Sequence, residues 1–195
     1  MEAIHRRIEQ QAVQRGDIPA VIDPGGTISY RTLNGRANTL ARHLIAAGLR
    51  RGGHAVVDLP AGADLLVGLL AVLKAGASYT WAPPGDGQSG SGISIRVDVG
   101  TPEQCLVSLH DDETTPAQAS SNLPVMTRGS DTACALPAEG GGHALLPHAS
   151  VIALAGLLPS EHRPWRGGDA ALGAWSVLMS GETLTVGEGY AAAAA

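Results

Sequence analysis

Phenylalanine is absent from this chain, and aromatic residues make up only 3% of it. The core must therefore be built from Leu, Val, Ile and Ala. With 26 glycines and 12 prolines, thin packing in places and several poorly ordered loops are expected. Cysteine is scarce as well. Cys105 and Cys134 lie too far apart for a metal-knuckle spacing and read as reduced thiols of a cytoplasmic protein. No basic cluster offsets the net charge of -5, so nothing electrostatic points to a nucleic-acid partner. No apolar run is long enough to span a bilayer, and the polar N-terminal segment does not suit a signal peptide. These absences exclude membrane, disulfide-scaffold and nucleic-acid classes and leave a globular domain with a core of ordinary size.

What is present has a clear order over the first hundred residues. A helix is expected from residue 1 to 15, with Ile4, Ile8, Ala12 and Val13 on one face and Arg6, Arg7, Glu9 and Gln10 on the other. A hairpin follows, with strands over 18–23 and 27–29 around the turn Asp23-Pro24-Gly25-Gly26. A second helix is expected over 32–47, closed by Gly48. Next come a buried strand over 54–59, a helix over 64–74 that is apolar on most sides, and a strand over 78–82. Strand, buried helix and strand at this spacing form a right-handed crossover, so the fold class is α/β: a mostly parallel sheet flanked by helices. Beyond Pro83-Pro84 the periodic signal weakens. Strands are expected over 93–97, 105–110 and 132–136, helices from 148 or 150 to 158 and over 169–179, and a last strand over 183–186.

Two stretches carry a resemblance to a known family. Ile28-Ser29-Tyr30-Arg31-Thr32-Leu33 is similar to the first core motif of amino-acid adenylation domains, the acyl-adenylate-forming components of nonribosomal peptide synthetases. Leu73-Lys74-Ala75-Gly76-Ala77-Ser78-Tyr79 resembles the second. The similarity runs in order from Ile4 to Tyr79 and includes Asn38, Ala41, Leu44 and Gly48. It implies a domain over 1–190 resembling the first lobe of an adenylation domain's N-terminal subdomain. Residues 1–82 match well, 83–130 diverge and are loop-rich, 131–187 match in degenerate form, and 191–195 form a tail.

The departures from the family are specific. The family's third core motif is a Gly-, Ser- and Thr-rich loop with a Lys, placed before a His that begins a helix, and it holds the ATP phosphates. Phosphate needs convergent donors and positive charge. Here the corresponding segment is Pro137-Ala138-Glu139-Gly140-Gly141-Gly142, with His148 matching the family's His. It has no Ser, Thr or Lys, and Glu139 is unfavourable beside a triphosphate. Gly140, Gly141 and Gly142 thus read as a degenerate phosphate loop, or simply as a flexible loop. Leu178-Met179-Ser180-Gly181-Glu182-Thr183-Leu184 resembles a later family motif. That alignment puts Asp169 within one position of the aspartate that binds the substrate amine, but the flanking aromatic residue is missing, and an Asp after Gly167-Gly168 is usually a helix cap.

The family's adenine, ribose and hinge motifs and its catalytic Lys have no counterpart here, so the resemblance implies a truncated, degenerate N-terminal fragment. The expected function is a catalytically silent, adenylation-like scaffold within a peptide synthetase. No catalytic residue, cofactor or metal is expected, and the partners are a carrier, condensation or adenylation component, or a second copy. By resemblance, Ala75, Gly76, Ala77, Ser78 and Tyr79 lie where an MbtH-like helper would bind; as a structural feature the same segment is a helix–strand junction needing small residues. The alternative is half of a split enzyme that uses ATP and Mg with a second chain. Other chemistry is weakly supported. His143 and His148 with Glu139 make a sparse metal set, Asp111-Asp112-Glu113 reads as solvated surface, and no Gly-x-Ser-x-Gly elbow occurs.

Overall fold

Helix α3 (Ala63–Lys74) is the centre of the molecule because its composition leaves it no polar side. Every residue from Ala63 to Lys74 except Asp64 is buried, as a helix apolar all round requires. Each fully buried Leu or Val there contributes about 1.5–3 kcal/mol. The computed structural model describes residues 2–81, 93–98, 105–109, 121–124, 127–138, 142–157 and 170–187. Most of 83–130, expected to be loop-rich, lies outside them, as do the tail 191–195 and Asp111, Asp112 and Glu113.

Before α3 come α1 (Ile4–Gln14), the hairpin β1 (Pro19–Asp23) and β2 (Gly26–Ser29), α2 (Tyr30–Ala46) and β3 (His54–Val57). After it come β4 (Ser78–Trp81), β5 (Ile93–Asp98), β6 (Cys105–Leu109), β7 (Thr132–Pro137), β8 (His143–Pro147), α4 (His148–Leu157), α5 (Ala170–Ser180) and β9 (Leu184–Thr185). Ser29 caps α2 by accepting from the Thr32 amide. Gly76, at φ +80°, ends α3 with the Ala77 amide bonded back to the Val72 carbonyl, a left-handed cap that favours glycine. The start of α3 is capped from a distance: Asp23 on the hairpin accepts from the Ala63 amide at 2.7 Å.

The main sheet has the order β6-β5-β3-β4-β7-β8. Parallel pairing is confined to β3–β4–β7, while β5, β6 and β8 run antiparallel to their neighbours. The α/β class and the β3-α3-β4 crossover agree with the sequence reading, but the sheet is mixed and not mostly parallel. The reason is local. The links from β5 to β6 and from β7 to β8 are six and five residues long, too short for a crossover, and a short link returns a strand antiparallel. A smaller sheet, β2-β1-β9, pairs Val21 and Ile22 with Leu184 and Thr185 and so joins the two ends of the described fold.

Along β3 and β4, Ala55 and Val57 share one face with Tyr79 and Trp81. Helix α3 lies on that face, where a methyl added at Gly68 would meet Val57, Leu59 and Ile95 at 3.4 Å. Helix α5 reaches the same face through Trp175, and α1 packs against α2, α3, α4 and α5. Three α1 residues depart from the simple amphipathic reading, and the first is Val13, expected on the apolar face but 83% exposed. Glu9, expected on the polar face, is buried, and so is His5. The apolar stripe of a helix is wider than its apolar residues when neighbouring helices close over it from several sides.

Candidate functional site

Residues 138–142, read from the sequence as a degenerate phosphate loop, join the antiparallel strands β7 and β8 and so mark the tip of that hairpin. The sequence reading left residues 137–148 as a loop before a helix; instead 143–147 pair with β7 as β8, and the chain enters α4 directly at His148. The tip lies at the carboxyl end of a parallel strand, the end at which open α/β sheets receive ligands. Gly142 sits there at φ +92° with open space around it, and its carbonyl accepts from the Ala138 amide at 3.2 Å. Glu139, Gly140 and Gly141 lie outside the described residues, as does Asp169.

His148 is not available to that tip. It is 1% exposed, and its Nδ1 accepts from the Ile4 amide at 3.3 Å. Its ring meets that of His5 edge-on, with centroids 5.9 Å apart. Burial holds His148 down to about 4, against the opposing influence of Asp131. His5 is held at about 3, first by burial and then by Lys74, His148 and Arg6. Both rings are therefore neutral at physiological pH. His143 stands exposed at the far end of β8, about 16 Å of extended strand away. The two histidines do not form one site, and no metal-binding cluster occurs among the described residues.

The motif residues Tyr30, Lys74 and Tyr79 are all engaged in packing. Lys74 donates from Nζ to Glu9 Oε1 at 2.6 Å, joining α3 to α1. Burial lowers Lys74 to about 8, more than Glu9 raises it. The Tyr30 hydroxyl is shared between the Leu178 and Glu182 carbonyls at 3.0 and 2.7 Å, tying α2 to the end of α5. Tyr79 accepts from Trp175 Nε1 at 2.7 Å. Burial raises Tyr79 well above the usual phenol range and pushes Cys134 up to about 11. Sequence reasoning missed these partnerships. The available signals were a Lys closing an otherwise apolar helix and a Trp on an apolar one.

Of the segment expected to meet a partner, Ala75, Gly76, Ala77 and Tyr79 are buried and Ser78 is 9% exposed. Gly76 and Ser78 nevertheless line a shallow cleft of about 670 Å³ with Arg51, His54, Asp131 and Leu145. It opens at the amino ends of β3, β4 and β7, opposite the hairpin tip. His54 bridges two hydroxyls there, Nδ1 to Ser78 Oγ at 2.9 Å and Nε2 to Thr80 Oγ1 at 3.0 Å. Arg51 pairs with Asp131 at 2.8 Å, and Asp131 is held below the usual carboxylate range, first by the Arg128 amide and then by Arg51. The structure thus places Gly142 at one end of the sheet and the 75–79 segment at the other.

A family model described as AMP-binding enzyme matches residues 8–137. Surfactin synthase subunit 2 of Bacillus subtilis (strain 168) is 42% identical over 82 residues, which is 42% of this chain and 2% of that protein. This chain spans only 1–3% of the length of the first curated relatives it matches. Among solved structures, Klebsiella oxytoca NpsA in complex with 3-hydroxyanthranilyl-AMSN aligns with a TM-score of 0.70 at 20% identity. That alignment covers 95% of this chain and 42% of the other. NpsA-ThdA, an artificially fused adenylation-PCP di-domain from the same organism, aligns with a TM-score of 0.66 at 19% identity, over 95% of this chain and 39% of the other. At these identities the likeness is one of fold.

Proposed function

The chain belongs to the AMP-binding enzyme family, and on that premise we propose that it acts as an adenylation-like interaction component of a nonribosomal peptide synthetase without activating an amino acid itself. The observation that carries this reading is the composition of the hairpin tip. Residues 137–142 offer no hydroxyl and no amine, and they include Glu139. A triphosphate bound there would meet an acidic side chain and no side-chain donor. The engagement of Tyr30, Lys74 and Tyr79 in packing supports the same reading, because these motif residues hold the fold together without chemistry of their own.

The partners this role calls for are a carrier, condensation or adenylation component in the cytoplasm, with an MbtH-like helper at the cleft beside Ala75–Tyr79. Isothermal calorimetry with MgATP, run beside pyrophosphate exchange over the proteinogenic amino acids, tests the silence of the chain. No binding and no exchange are expected. Tight ATP binding would sink the proposal.

A second reading is a split enzyme, favoured by the match of residues 8–137 to a family of AMP-binding enzymes. A separate polypeptide supplying the remainder would restore ATP- and Mg-dependent amino-acid activation. Pyrophosphate exchange appearing only when such a chain is mixed in distinguishes this reading from the first.

A further inference from the structure

Strand β8 closes one edge of the main sheet, and its outer side has no partner among the described residues. The hairpin register shows which groups face outward. The Ala138 amide bonds the Gly142 carbonyl, so 138 and 142 are a hydrogen-bonded pair and the ladder alternates from there. Ala144 and Leu146 therefore bond to β7, while His143 and Leu145 point their amides and carbonyls away from it. The side chains agree with an open edge, since His143 and Ala144 are exposed and Leu145 is 65% exposed. The helix that follows carries two more uncovered leucines, Leu154 and Leu157.

Residues 142–157 contain no Asp, Glu, Lys or Arg. Edge strands are normally protected by charges, Pro or bulges, and an apolar, uncharged edge pairs with another strand. Charge also identifies the strand that fits. Across a two-fold axis every residue meets its own counterpart or a near neighbour of it, so any charged side chain on the strand would face a like charge. An edge without charges, in a chain of net charge -5, removes that repulsion for self-pairing.

We propose that β8 is a homodimer interface in which two copies join edge to edge, antiparallel, centred on Leu145. In this register Leu145 exchanges both hydrogen bonds with the partner's Leu145, while His143 lies opposite the partner's Pro147, whose carbonyl opens helix α4. Pro147 has no amide, but it lies at the end of the strand, where one lost bond is tolerated. On one face of the ladder the two Leu145 side chains meet; on the other, Ala144 faces the partner's Leu146. The axis is perpendicular to the sheet, so both α4 helices fall on the same side of the joined sheet. This proposal does not depend on the silent-scaffold reading.

Sedimentation of the full chain over a wide concentration range tests it. A species of twice the 19.8 kDa monomer mass is expected. Leu145→Lys places a positive charge on the axis and should weaken dimerisation more than about tenfold, with the melting curve unchanged at concentrations where the wild type is monomeric, because the side chain is then exposed. Leu145→Cys should cross-link two copies on oxidation, since paired α-carbons about 5.5 Å apart suit a disulfide. Val13→Cys, on the exposed face of α1, should not cross-link. A wild-type monomer, an assembly larger than a dimer, a dimer that survives Leu145→Lys, or equal cross-linking through Val13→Cys each overturns the proposal.

Discussion

Lys74 and Glu9 meet at 2.6 Å in the interior, with side chains 1% and 7% exposed, and they join the helix before the second family motif to the N-terminal helix. Breaking such a pair from one side leaves an uncompensated buried charge. Lys74→Met or Glu9→Leu alone should therefore cost about 3–5 kcal/mol, whereas the double replacement should recover most of that loss. Urea unfolding of the four proteins in the cycle measures the coupling; additive single losses would show that the pair is not a unit.

His5 and His148 should make the fold sensitive to acid. Their folded values, about 3 and about 4, lie below the usual 6.5, so below pH 6.5 the unfolded chain binds more protons than the folded one. The stabilisation is full above about pH 6.5 and is lost progressively as pH falls toward 4 and then 3. Melting temperatures recorded from pH 7.5 down to 4 should fall steeply, and less steeply for His148→Gln. A flat profile would mean that the rings are not held neutral inside.

Tyr79 and Trp175 form a buried hydrogen bond at 2.7 Å. Removing only the hydroxyl by Tyr79→Phe strands the indole N–H away from water and should cost about 1–3 kcal/mol. Adding Trp175→Phe removes the orphaned donor, so the double variant should be less destabilised than the sum of the two singles. Chemical denaturation of each protein provides the comparison.

Asp23 caps α3 from another element, accepting from the Ala63 amide at 2.7 Å and from the Gly25 amide at 2.8 Å. Asp23→Ala should cost about 0.5–2 kcal/mol, and Asp23→Asn should retain most of the cap. Hydrogen exchange would locate the loss at the first turn of α3. Weakening confined to the β1–β2 turn would show that the Gly25 contact is the one that matters.

Local pattern was enough to place most elements in this chain. The period of Leu33, Ala37, Leu40 and Leu44 marks α2, and the turn residues between β1 and β2 mark the hairpin. The all-round apolar character of 65–73 announces a helix between layers, because periodicity and turn chemistry act over a few residues. The motifs around Tyr30 and Lys74 likewise carried the family. Relationships between distant residues were decided only by the tertiary structure. Nothing near His143 in sequence says that 143–147 will pair with β7, since a short apolar run is a strand only when a partner strand lies beside it. Glu9 looks like a surface residue until Lys74, 65 positions later, makes its burial tolerable. His148 sits at a family-like position, but the packing of α1 over α4 turns it inward to the Ile4 amide. A polar side chain enters a core only where the whole fold supplies its partner, and that partner is set by the three-dimensional path of the chain.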